Sequence, residues 1–254
     1  MKVRTHLLSG AGNTFHVTYG APPADEGFRI KIALNICAKQ PADGFIFLQS
    51  HAAGYRWEFY NSDGSRAEMC GNATRCIGFY LKNILKKNEN SWVLETTAGP
   101  IDIQSISAEM FKIVMTPLKL LQSDLGFFVD TGVPHLVVER ANFSNLDEMR
   151  DSAKKLRGHS QFQPKGTNVT FVSLKENPAE VKAISFERGV EDFTQACGTG
   201  AAAAAAYNFK FRGALQTEVE MPGGTLIMNL TEFQSPIMVG PAVLLGSYEY
   251  EISA

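Results

Sequence analysis

Two cysteines in this chain stand at the head of sequences that read as helix starts: Cys70 in AEMCGNATRC and Cys197 in FTQACGTGAAAAAA. The first turn of a helix leaves about four backbone N–H groups without partners and carries the positive end of the macrodipole, so it holds a carboxylate and favours a thiolate. A thiol of ordinary pKa, about 8.5, is expected to fall there, bringing thiol and thiolate both within reach near neutrality. Gly71 and Gly198, directly after the cysteines, let a ligand approach the backbone closely. One such motif reads most simply as a packing accident; two matching copies change that reading. If both helix starts face one cleft, their N–H groups grip a single carboxylate and the thiols flank the carbon beside it. One thiolate then removes the α-proton and the opposite thiol delivers one to the other face. The configuration inverts, and the N–H groups stabilise the charge that builds on the carboxylate.

Such a site needs two elements of the same kind to present it. Short β-rich segments run along the chain: VRTHLL, GFIFLQS, YRWEFY, SWVLETT, FKIVM, HLVVE, NVTFVSL, VKAISFE, LQTEVEM and IMVGPAVLL. Many are bounded by Gly, Pro, Asn-Ser-Asp-Gly or Pro-Gly-Gly turn signals. Four helices are predicted: about 25 to 39 with Asp25 as cap, Asn72 to Lys87, Leu146 to Leu156, and one from Gly198 that carries the alanine run. Alanine is the best helix former and has no bulk, so this last helix can lie close to neighbouring backbone. Strands, a Cys-Gly helix start and more strands occur twice. The fold class is therefore α+β: two similar β-rich halves, each a curved, mostly antiparallel sheet around a central helix, with the active site in the cleft between them. The expected division is 1–116, joined by the C-terminal strand 242–254, and 117–241, with the crossing near Thr116-Pro117. Cys37 and Cys76 read as packing residues of their helices.

Composition narrows the function classes. The 254 residues include 24 basic and 26 acidic side chains and 44% hydrophobic residues, enough for a sizeable core and without a one-sided field. Nucleic acid and membrane are not expected partners, since no apolar run approaches the roughly 20 residues of a span. The opening MKVRTHLLSG lacks a signal-peptide apolar region, so a cytoplasmic protein is expected, and four cysteines in a reducing compartment are not a disulfide framework. Cys70 and Cys76 form no Cys-x-x-Cys pair and no second cluster has zinc-ligand spacing, so no metal is expected.

AEMCGNATRC and ERGVEDFTQACGTGAAAA, taken with GAGNTF, NSDGS and TGVPH, resemble the diaminopimelate epimerase family, over nearly the whole chain and in the family's order. These are cofactor-independent two-cysteine enzymes of lysine and peptidoglycan precursor synthesis. The resemblance implies interconversion of LL- and meso-diaminopimelate, no cofactor, a small-molecule amino-acid substrate and a homodimer. It places the two catalytic bases at Cys70 and Cys197, assisted by His135 and Glu187, and the backbone donors for the reacting carboxylate at Gly71, Asn72, Gly198 and Thr199. Diaminopimelate carries a second amino-acid head, and Arg188 supplies a planar fork suited to its distal carboxylate. Asn61, Asn168 and the Glu187 region complete the distal pocket by the same resemblance, and Asn13 lies near the reacting amino group.

Plainer readings compete at three of these positions. His135 after Pro134 could cap a strand, Glu187 and Arg188 could be a surface pair, and Asn61 begins a good turn sequence. The chain departs from the common family pattern at Val133, Gly44, Thr14 and Ala73; Val133 removes an amide that could contact substrate and so bears on affinity or substrate choice. Racemisation of another amino acid on the same fold and, in a different class, a thiol redox protein are the alternatives. Two thiols facing across an empty cleft are also expected to oxidise to a disulfide and block the site.

Overall fold

The computed structural model describes residues 1–253 of the chain. Its first unit comprises Met1–Ile113 and the segment from Gly240 onward, and its second is Val114–Val239. In chain order the first unit contains β1 (Lys2–Gly10), β2 (Asn13–Tyr19), α1 (Glu26–Lys39), β3 (Gly44–His51), β4 (Gly54–Asn61), α2 (Gly71–Phe79), β5 (Ser91–Thr96), β6 (Gly99–Ser105) and β7 (Met110–Val114). The second contains β8 (Lys119–Leu121), β9 (Phe127–Asp130), β10 (Pro134–Glu139), α3 (Leu146–Arg157), β11 (Asn168–Leu174), β12 (Glu180–Glu187), β13 (Asp192–Phe193), α4 (Gly198–Arg212), β14 (Gln216–Met221), β15 (Gly224–Asn229) and β16 (Ile237–Pro241). The last strand, β17 (Val243–Glu251), pairs with β1 of the first unit.

The pairing pattern is an internal repeat. In the first unit β1 is antiparallel to β2, β2 parallel to β3, β3 antiparallel to β4, β4 parallel to β5, and β5 antiparallel to β6, which is antiparallel to β7. The second unit repeats this order of orientations in β9, β10, β11, β12, β14, β15 and β16. Helices fall at equivalent places: α1 lies between β2 and β3 as α3 lies between β10 and β11, and α2 and α4 each precede the second parallel pairing. Each half is thus a mostly antiparallel sheet with a central helix, α2 or α4, plus a second helix, α1 or α3, that lies in the connection between the strands of the repeat's first parallel step.

Local sequence accounts for these elements. Asp25 caps α1, its Oδ1 accepting from the Phe28 N–H at 2.6 Å. Ile32, Ala33, Ile36 and Cys37 then form a buried stripe against Phe45, Phe47 and Tyr60 of the sheet. All nine residues of α2 are buried, and the predicted helix continues past it only as a π-helical turn, Tyr80–Ile84. Gly10 of β1 is required for that packing, because a Cβ there would meet the Asn72 carbonyl oxygen at 2.5 Å.

In α4 the run Ala201 to Ala206 is buried throughout. Ordinary core side chains would hold the helix off the strands; methyl groups let it lie close on β10, β11, β12 and β14. The closest approach is at Gly200, where a Cβ would sit 2.0 Å from Ser185 Oγ. Gly213, at φ 73°, ends the helix in the left-handed conformation that glycine adopts without strain. No helix among the described residues is long and apolar enough to cross a membrane.

Candidate active site

In the first unit Cys70 is the N-cap of α2, with extended backbone (φ −150°, ψ 120°), and its carbonyl takes both the N–H and the hydroxyl of Thr74 at 2.9 Å. Gly71 and Asn72 form the first turn and are buried. Asn13, at the start of β2, meets this turn: its Oδ1 accepts from Asn72 Nδ2 at 2.5 Å. Cys70, Gly71, Asn72 and Asn13 therefore lie together. Asn61 ends β4 and holds the NSDGS turn, donating from Nδ2 to Ser65 Oγ at 2.9 Å and from its N–H to the Ser65 carbonyl at 2.8 Å. Its turn role is real, with the side chain half-buried at the strand end.

The second unit holds the larger cluster. Cys197 is the N-cap of α4, and its Sγ accepts from the Gly200 N–H at 3.3 Å. Thr199 Oγ1 stands between Cys197 Sγ, at 3.2 Å, and His135 Nε2, at 3.0 Å. His135, on β10, is fully buried. Asn168 at the start of β11 bridges two further site residues: its Oδ1 accepts from the Arg188 N–H at 2.8 Å, so its Nδ2 donates to His135 Nε2 at 3.2 Å. That fixes the tautomer. Nε2 is an acceptor, and Nδ1 carries the hydrogen and donates to Thr170 Oγ1 at 2.8 Å. Thr170 is in turn 2.9 Å from Ser185 Oγ beneath Gly200. Arg188 Nη1 reaches the Lys165 carbonyl at 3.2 Å, and the Thr194 hydroxyl makes a short hydrogen bond to Glu187 Oε1.

Burial sets the protonation states. The His135 imidazole is pushed down to about 3 because a buried ring cannot solvate its charged form. It is neutral at any working pH. Cys197 departs from the expectation of a lowered thiol: its pKa is raised well above the ordinary value, first by burial and then by the Glu187 carboxylate. Hydrogen bonds from Thr199 and Gly200 oppose this without overcoming it. The helix pole is worth roughly 0.3–1 kcal/mol at exposed sites, up to about 2 when partly buried, while desolvating a thiolate costs more. A hydrogen bond to the Glu187 carboxylate further favours the protonated thiol. Cys76 is fully buried and its thiol is held protonated by burial; Cys37, in the α1 core, is pushed up to about 11. None of the four cysteines is disulfide-bonded, and among the described residues no three His, Cys, Asp or Glu side chains gather as metal ligands would.

Sequence reasoning missed the supporting shell: Thr170 and Ser185 beneath His135, Thr194 on Glu187, and Arg75 behind Asn72. A period-2 signal existed for two of these. Thr170 lies two residues from Asn168, and Ser185 two from Glu187, so each shares a strand face with a predicted site residue.

The family model described as diaminopimelate epimerase matches residues 30–120 and 127–245. The chain is 35% identical to the diaminopimelate epimerase of Hydrogenobaculum sp. (strain Y04AAS1), over 83% of this chain and 82% of that protein. To the diaminopimelate epimerase of Chlamydia muridarum it is 32% identical, over 98% of this chain and 95% of the relative. Among solved structures, a phenazine biosynthesis protein of the PhzF family from Enterococcus faecalis superposes with a TM-score of 0.76 at 15% identity, covering 99% of this chain and all of the other. A hydroxyproline epimerase from Agrobacterium vitis does so with a TM-score of 0.71 at 15% identity, covering 98% and 91%. These two likenesses speak to the fold. The family model and the sequence relatives carry the assignment: the chain belongs to the diaminopimelate epimerase family of isomerases.

Proposed function

We propose that the protein interconverts LL- and meso-2,6-diaminopimelate, in lysine and peptidoglycan precursor synthesis, by passing the α-proton between two cysteine bases without a cofactor. The observation that carries this reading is the repeat: Cys70 and Cys197 head α2 and α4, the equivalent central helices of the two halves. The proposal requires one reacting carboxylate to be held through the N–H groups of Gly71 and Asn72 at one helix start and of Gly198 and Thr199 at the other. The α-carbon then lies between the sulfurs.

A proton cycle follows from the side chains at Cys197. Its thiol is held protonated in the ligand-free protein with Glu187 as the acceptor of its hydrogen. Transfer of that proton to Glu187 leaves a thiolate, which abstracts the substrate's α-proton; the Cys70 thiol protonates the opposite face. In the reverse direction Cys70 is the base and Cys197 the acid. Thr199 can give its hydroxyl hydrogen to the Cys197 sulfur when that sulfur is anionic and to His135 Nε2 when it is not. His135 thus assists by holding the hydroxyl in place. Arg188 pairs with the distal carboxylate, flanked by Asn61 and Asn168, and Asn13 sits by the reacting head. The same reading has the enzyme act as a homodimer in the cytoplasm.

Incubation with LL-diaminopimelate in heavy water under reducing conditions tests the reading. The α-hydrogen should exchange as meso product appears, and Cys70→Ala or Cys197→Ala should abolish epimerisation. Epimerisation that persists in either variant removes that cysteine from the mechanism. Turnover confined to another amino acid would instead assign a racemase on the same fold.

A further inference from the structure

Arg75 lies behind the Cys70 helix start and is the largest fully buried side chain among the described residues. It belongs to α2, and its side chain runs back toward the N-terminus of the helix, the usual direction for a long side chain. There Nη2 donates to Asn72 Oδ1 at 2.9 Å, Nη1 reaches the Gly71 carbonyl at 3.4 Å, and Nε reaches the Pro241 carbonyl at 3.3 Å. Two of its contacts are thus the first two residues of α2. A cation at this place opposes the usual preference, because the positive pole of a helix favours anions. Such a conflict between a local rule and the observed residue is most often found where a protein binds or reacts.

The consequence for Asn72 is geometric. A guanidinium has donors only, so the atom of Asn72 that faces it must be Oδ1, and the NH2 group is turned toward Asn13. Asn13 then receives that hydrogen on its own Oδ1. A free amide could present either end; this pair has one orientation, dictated from the buried side. We propose that Arg75 is a positioning residue that sets the amide orientation of Asn72 and, through it, of Asn13, so that both meet the substrate's reacting amino-acid head one way round. Burial lowers the Arg75 pKa to about 10, which leaves the guanidinium charged near neutrality.

This inference rests on the assignment of Asn72 and Asn13 to the reacting head, and the test separates the two. Steady-state kcat/KM for LL-diaminopimelate and melting temperature are measured for Arg75→Lys, Asn13→Ala and the double variant. Each single change should lower kcat/KM about tenfold, and the double should fall about tenfold as well, because both break one chain of hydrogen bonds. Multiplication of the two losses, to about a hundredfold, overturns the proposal, since Arg75 would then act independently of Asn13. Asn72→Asp provides a reading that does not need Arg75 to change. It keeps an acceptor for the guanidinium but gives Asn13 no donor. It should melt at or above the parent's temperature, lose activity, and show no further loss when Asn13→Ala is added. A lowered melting temperature, or full activity, overturns the proposal. Should Asn13→Ala alone leave kcat/KM unchanged, the assignment of Asn13 to the head fails and the positioning role with it, whereas Cys70→Ala tests the two-base reading separately.

Discussion

Replacing Gly200 by Ala isolates how closely α4 must approach the sheet. On helix propensity alone the change should stabilise the protein by about 1 kcal/mol, because glycine costs roughly that much inside a helix. The tertiary structure opposes it. The new Cβ would lie 2.0 Å from Ser185 Oγ, 3.1 Å from Ser185 Cβ and 3.2 Å from Cys197 Cβ. Rotating the Ser185 hydroxyl away relieves the first contact but breaks its 2.9 Å bond to Thr170. That loss is worth about 1 kcal/mol, and overpacking at the two remaining carbons adds roughly 1–3 kcal/mol. The net expectation is destabilisation by about 2 kcal/mol, or a melting temperature lower by roughly 4–8 °C for a chain of this size. Activity should fall more than stability suggests, since Ser185 and Thr170 support His135. Calorimetry and steady-state kinetics on Gly200→Ala, Ser185→Ala and the double variant decide it. The double variant should recover part of the lost stability, because the closest atom is gone. A Gly200→Ala protein that melts higher than the parent would refute the close-approach argument.

Three further outcomes follow from the site. The Cys197 thiol is raised by burial and by Glu187, so its alkylation by iodoacetamide in ligand-free enzyme, followed by peptide mass spectrometry, should keep accelerating with pH beyond about 9; a plateau near neutrality would contradict this. His135 has a folded pKa near 3, below the roughly 6.5 of the unfolded chain, so the unfolded state binds more protons between these values. Its contribution is fully present above about pH 6.5 and is lost as pH falls toward 3. His6 and His16 are lowered as well, chiefly by burial, and add to the same slope. Urea unfolding should therefore show His135→Asn losing less stability than the parent between about pH 7.5 and 5, and equal losses would exclude the buried neutral imidazole. Arg188→Lys removes the fork while keeping the charge, so KM for diaminopimelate should rise about tenfold with kcat little changed; an unchanged KM would remove Arg188 from the distal pocket.

Much of this protein was legible where chemistry and local structure share the same residues. Asp25 caps a helix because its carboxylate reaches the Phe28 N–H three residues on, and that depends on nothing distant. The Cys-Gly helix starts at Cys70 and Cys197, the alanine run, and the strands around them are likewise local signals, and their recurrence is enough to expect two similar halves. The family was readable from the same motifs. What lay beyond reach were contacts that join residues far apart in the chain. Thr170 reaches His135 across 35 positions, and Asn72 reaches Asn13 across 59.

The chain alone therefore determined which residue types head the two central helices and what a helix pole offers a thiol or a carboxylate. Only the tertiary structure decided the protonation of the site. It buries Cys197 beside Glu187 and His135 among uncharged partners, and the cost of desolvating a charge there exceeds what one helix pole returns. It also decided which way the amides of Asn72 and Asn168 face, because only folding brings the Arg75 guanidinium and the Arg188 N–H to their oxygens. Periodicity reports which face of an element is apolar; the protonation and orientation of a polar group depend on what the rest of the chain places against it.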